Sequence, residues 1–147
     1  PSTCMRREES TIEEAEVLAR VAARSGCGLV RGVNNVMGSA GSHRLGPVAY
    51  RERFPVGLVG EIHLAGYDEA ADGAGERLLI DAHGSPVKPD VIDLYRHALT
   101  LTGPVATLIE WDNDVPAFDA LLAEAARADA LLAAEGRRRQ PPGAEAA

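Results

Sequence analysis

At 147 residues, 46% of them hydrophobic and 25% charged, the chain is long enough for one ordinary domain with its own core, and disorder is not the default reading. A formal net charge of -7 excludes general nucleic-acid affinity, which depends on clustered Lys and Arg; the basic run Arg137-Arg138-Arg139 stands in the tail. No stretch approaches the roughly 20 apolar residues of a bilayer span, and the start at Pro1 lacks a basic region followed by an apolar one, so the chain reads as cytoplasmic with no membrane partner.

In chain order, Ser10-Thr11-Ile12-Glu13 reads as a capping box. The helix after it has Ile12, Ala15, Leu18, Val21 and Ala22 on one face and Gly26 as its C-cap. Leu29 to Val33 is a short strand, Asn34 to Gly46 is loop-like, and a short helix near Ala49 to Arg53 leads into the strand Leu58 to Leu64. Ala65 to Arg77, rich in Gly, Asp and Ala, is expected to be a long exposed loop, and Leu78 to Ile80 the strand that follows it. Val91, Ile92, Tyr95, Ala98 and Leu99 then line one face of a helix that Gly103-Pro104 stops. Val105 to Glu110 is the last strand, Pro116 sits in a first-turn position, and Ala117 to Glu135 is an Ala/Leu-rich helix. Residues 136–147 read as a disordered tail. Two cysteines make no disulfide framework, and Cys27, between Gly26 and Gly28, is expected to be a small buried filler.

Strand ends therefore fall near residues 32, 63, 81 and 110, with helices or loops between them, which predicts an α/β fold with a parallel sheet. The intervals 32 to 63 and 81 to 110 match the about 31 residues per βα unit of an eight-fold barrel of roughly 250 residues. Residues 1–135 are expected to form half of such a TIM barrel. The missing half is expected to precede Pro1, an unusual translated start, with the chain then expected to be a fragment or a processed product.

Ligand-type side chains stand at these ends: Glu61 and His63, Asp81 and His83, and Glu110. In a parallel sheet all strand C-termini lie on one face, so such groups converge although distant in sequence. Asp81 and His83 are two apart and both can reach one ion; the bland alternative is a capping aspartate and a surface histidine. Glu110 follows the apolar run Thr107-Leu108-Ile109, where a carboxylate needs a cation, either a metal or an arginine. Asn34-Asn35 either knits loop backbone or ligates through a carbonyl oxygen. His43 sits in a Gly- and Ser-rich loop, Trp111 is expected to pack at the rim, and Asp112 and Asp114 are expected to cap the following helix. Imidazoles and carboxylates without cysteine favour iron, manganese or zinc, and candidates this numerous point to more than one ion or to an open catalytic position.

The segments GCGLVRGVNNV, SAGSH, EIHLAG, LLIDAHGSPV, LYRHAL, GPVATLIEWDNDVPAF and LLAEAARADALL, in this order, resemble the C-terminal half of the multinuclear non-haem iron oxygenases typified by the iron subunit of methanobactin biosynthesis. The resemblance implies a xylose isomerase-like TIM barrel with two or three iron ions at the strand C-termini. It implies oxygen-dependent modification of cysteine in a ribosomally made precursor peptide, with a companion protein that holds the leader segment. By motif, His63, Asp81, His83, Glu110 and Asn35 carry over as metal ligands, and Glu61 and His43 as catalytic groups beside the ions or near the substrate.

The chain departs from that pattern in three ways. Gly32 stands where the family has a carboxylate, Tyr67 where it has a histidine, and the N-terminal half with its further ligands is absent. Pairing with that half or with a second copy is then required, because an open half-barrel exposes sheet edges and an apolar inner face. Two further readings stay open: a zinc- or manganese-dependent hydrolase or sugar isomerase of the same barrel class, and a truncated non-catalytic scaffold.

Overall fold

A computed structural model of the chain describes residues 11–34, 55–71, 73–75 and 77–140. Helix α1, Glu14–Ser25, leads into strand β1, Leu29–Gly32. A 3-10 turn, Val56–Leu58, precedes β2, Val59–Leu64; then come β3, Asp68–Ala71, and β4, Arg77–Ile80. Helix α2, Pro89–Thr102, strand β5, Ala106–Ile109, and helix α3, Phe118–Arg139, complete the order. The expected helix near Ala49 to Arg53 lies outside the described residues, as do Ser10, Asn35 and His43.

Strands β1, β2 and β5 form a parallel three-stranded sheet in the order β1-β2-β5. Register places Val30 and Gly32 opposite Glu61 and His63, and these opposite Ala106 and Leu108, so all six side-chain positions share one face. The other face of β2 carries Ile62 and Leu64, both wholly buried. They pack in one core with Val91, Ile92, Tyr95, Ala98 and Leu99 of α2, the five residues whose helical spacing predicted that face. A hydrogen bond of 2.9 Å between Tyr95 Oη and Thr107 Oγ1 pins α2 to β5. The fold is thus mixed α/β, a parallel sheet with helices against it, consistent with part of a barrel.

Among the described residues the expected fourth strand does not join the parallel sheet. Leu78 to Ile80 lies in β4, which pairs antiparallel with β3 as a separate two-stranded sheet, Asp68 opposite Ile80 and Ala71 opposite Arg77. A parallel pairing needs a crossover of a dozen or more residues with its own packing face, whereas neighbouring segments joined by a tight turn close as a hairpin. Gly75, at φ 80, supplies the left-handed turn residue. The expected exposed loop 65–77 therefore contains a strand. The single-unit interval holds from β1 to β2 and is stretched by the hairpin between β2 and β5.

Other expectations need smaller corrections. Glu13, not Ser10, occupies the N-cap of α1 and makes no side-chain cap bond, while Gly26 at φ 74 is the C-cap as read. Ala15 and Ala22 of the predicted face are buried, but Ile12 and Val21 are exposed at 38% and 50%. Cys27 is exposed rather than buried, its Sγ 3.0 Å from the hydroxyl of Ser25, because it stands past the C-cap and outside the core. Helix α3 starts one residue after Ala117 and runs on to Arg139, so residues 136–139 of the expected tail are helical. The extension is held by Arg139, whose guanidinium pairs with Glu135 at 2.9 Å and donates to the carbonyls of Leu99 and Thr100 at 3.2 and 2.7 Å, satisfying the C-terminal end of α2. No helix among the described residues is long and apolar enough to cross a membrane.

Candidate metal centre

An open cavity of about 330 Å³ lies at the C-terminal edge of the parallel sheet. His63, Asp81, His83 and Glu110 line it together with Gly32, Asn34 and an apolar wall that includes Leu18 and Leu29. Each polar group arrives by a different route. Glu61 and His63 share the open face of β2 by strand alternation, and Glu110 is the first residue beyond β5, its N–H donating to Leu64 O at 2.8 Å as the last rung of the parallel pairing.

Asp81 and His83 follow β4 of the hairpin, outside the parallel sheet, and tertiary contacts bring them to its rim. The His83 N–H donates to Gly66 O at 3.2 Å, and the amides of Asp112 and Asn113 both donate to His83 O at 2.9 and 3.1 Å. Asn113 Nδ2 donates to Ala82 O at 2.6 Å. Gly66 makes the approach possible, because a Cβ there would overlap the carbonyl of Ser85. Asn34 takes the backbone-knitting role, its Nδ2 donating to Ala65 O at 2.6 Å while its side chain stays buried.

The side chains form a chain of alternating acids and imidazoles. Glu61 Oε1 faces His63 Nε2 at 2.9 Å, and His63 Nδ1 faces Glu110 Oε2 at 3.0 Å. The other oxygen of Glu110 lies 3.6 Å from His83 Nδ1, which also meets Asp112 Oδ2 at 3.2 Å, and His83 Nε2 meets Asp81 Oδ1 at 3.0 Å. A single carboxylate, Glu110, thus presents one oxygen to each histidine. The arginine partner considered for it from sequence is replaced by two imidazoles.

Electrostatically the cluster is short of positive charge. All four of these ring nitrogens face a carboxylate, so the site gathers acidic oxygens around two imidazoles, a surrounding that favours a cation. Partial burial alone would push the His83 imidazole down, but Asp81, Asp112 and Glu110 outweigh it and hold His83 above its ordinary value. The donor set fits a hard or borderline divalent ion. His83, Glu110 and Asp112 offer ligand atoms within 4.8 Å of one another.

Asp112 was assigned to helix capping, and that assignment is overturned: the N-cap of α3 is Ala117 and makes no side-chain cap bond. The missed signal is spacing. Glu110-Trp111-Asp112 repeats the two-residue interval of Glu61 to His63 and Asp81 to His83. Trp111 is half-buried beside the site, and its Nε1 is buried without a hydrogen-bond partner among the described residues. Tyr67, which stands where the resemblance expects a histidine, does not line the cavity: its hydroxyl donates to Asp90 Oδ2 at 2.6 Å and Lys88 Nζ stands 3.9 Å over its ring.

Comparison with known proteins agrees with the motifs. A UPF0276 protein of Bordetella parapertussis is 50% identical over 133 residues, covering 90% of this chain and 46% of its own length. A UPF0276 protein of Acaryochloris marina is 44% identical over 123 residues, 84% of this chain and 43% of its own. One from Caulobacter vibrioides is 43% identical over 141 residues, 96% of this chain and 50% of its own. The chain spans about half the length of the curated relatives it matches. The family described as RiPP precursor modification enzyme MbnB/TglH/ChrH matches residues 1–133, and the chain belongs to that family.

Proposed function

We propose that this chain supplies part of a metal centre, with iron as the metal, that oxidatively modifies cysteine in a ribosomally made precursor peptide. The observation that carries the reading is Glu110, one carboxylate shared between His63 and His83 in an open cavity, an arrangement suited to two neighbouring ions. His63, Asp81, His83 and Glu110 would hold the metal, with Asp112 as a further ligand from this chain. The family description supports a precursor peptide as substrate.

Iron, when bound, supplies electron transfer and oxygen chemistry. The residues do the rest. Glu61, with Oε1 on His63 Nε2, fixes the imidazole's orientation and holds its proton. Leu18, Leu29 and Ala65 limit water at the cavity wall, and the open side admits a peptide. The exposed Val30 and Leu108, at 55% and 45%, share the sheet face that bears Glu61 and His63. That face fits the interior of a xylose isomerase-like barrel whose remaining strands come from the rest of a full-length protein or from a second copy. A companion protein holding the peptide's leader belongs to the same proposal.

The test is elemental analysis and Mössbauer spectroscopy on protein prepared without oxygen and reconstituted with Fe(II). Two or more iron equivalents, lost in Glu110→Gln, are expected. No retained metal sinks the reading, and zinc or manganese in iron's place redirects it to a hydrolase or isomerase.

A further inference from the structure

We infer that Asn113 is a positioning residue that aims the His83 imidazole by clasping the peptide units on both sides of it. His83 is a non-glycine residue at φ 51, in the left-handed region, which is unfavourable for an L side chain and persists only where the surroundings hold it. A residue's φ and ψ are set by the orientation of its two flanking peptide planes. Asn113 grips both planes: its Nδ2 donates to Ala82 O at 2.6 Å, on the N-terminal side of His83, and its amide donates to His83 O at 3.1 Å, on the C-terminal side.

The neighbouring contacts reinforce the clasp without replacing it. Gly66 O accepts from His83 N–H in the preceding peptide unit and Asp112 N–H donates to His83 O in the following one, so each holds one side, whereas Asn113 ties both sides to one residue. With both planes fixed, His83 points Nε2 at Asp81 and Nδ1 between Asp112 and Glu110. If His83 returned to negative φ, its Cα–Cβ direction would swing and these three carboxylates would lose the ring. The role rests on the metal-site reading above, since the aim of His83 serves an ion. Its geometry stands in the protein without metal, and Asn113 is exposed, so replacing it opens no cavity.

The experiment compares the full chain with Asn113→Leu, which keeps the side chain's size and removes its donor. In isotopically labelled metal-free protein, the amide to α-proton coupling and the carbon shifts of His83 read its φ. Titration with Co(II) reads the site through affinity and ligand-field absorption. Expected are loss of the left-handed signature, a Co(II) affinity lower by about 10- to 100-fold and displaced absorption bands. Retention of either the left-handed signature or the wild-type cobalt spectrum overturns the inference. If the unaltered chain takes up no Co(II), the metal reading fails by itself and the metal-free φ alone decides for or against the clasp. Asn113→Ala serves as the second variant should leucine disturb the loop.

Discussion

His63 and His83 meet across one carboxylate but are held there by opposite means. His63 stands on the central strand of a parallel sheet, where register with Gly32 and Leu108 on either side dictates both its position and the face it points to. His83 stands on no strand at all. It hangs beyond a hairpin and is brought to the rim by a glycine contact and by amides from the loop after β5. The strand-borne half of the site therefore draws its precision from the sheet as a whole, and the loop-borne half from a few local bonds that single substitutions can remove.

The largest expected effect separates the halves directly. Gly66→Ala forces a Cβ into the carbonyl of Ser85 and should cost about 2–4 kcal/mol, read by thermal or urea denaturation. Amide exchange should show the 82–85 loop loosened while the β1-β2-β5 ladder stays protected. A loosened sheet instead would mean the two halves are not separable. Glu110→Gln acts on both halves at once and should lower metal affinity on the order of 100-fold or more, measured by competition with a chelator. Asp112→Asn touches only the His83 side and should cost about tenfold. Tyr67→Phe removes a hydrogen bond to Asp90 near the hairpin's base and should cost about 1 kcal/mol without altering metal stoichiometry.

The subtlest difference between the halves is with pH. Because its carboxylate neighbours hold His83 above its ordinary value in the folded chain, its contribution to stability is fully present below the unfolded pKa of about 6.5 and is lost as pH rises through the folded value. Melting temperature of the metal-free protein should fall across that window, and His83→Gln should flatten the fall. Metal uptake should change the other way, since ligation needs the imidazole without its second proton.

Much of this was legible in the residues. The apolar spacing of Val91, Ile92, Tyr95, Ala98 and Leu99 named the buried face of α2 correctly because a helix's periodicity is a local property that packing only has to accept. Glu61, His63, Asp81, His83 and Glu110 were each placed near a strand end, and they do converge. Yet the reason given for Asp81 and His83 was wrong: β4 pairs with β3, not with the parallel sheet. Which strands pair depends on what lies between them and on which faces find cover, and a short apolar run such as Leu78 to Ile80 carries no sign of its partner. Asp112 escaped for the same reason, since an aspartate shortly before a helix has the look of a cap until the cap position is known.

Composition, periodicity and motif order by themselves determined a mixed α/β domain, its family and most of the groups that gather at its rim. Tertiary structure alone decided that the second histidine hangs from a loop, that Gly66 and Asn113 hold it there, and that Glu110 stands between the two imidazoles. The physical reason is distance along the chain. Local sequence fixes dihedral preferences and the face a side chain takes, whereas a left-handed histidine clasped by a residue thirty positions away is stable only once both loops have closed on the same strand end.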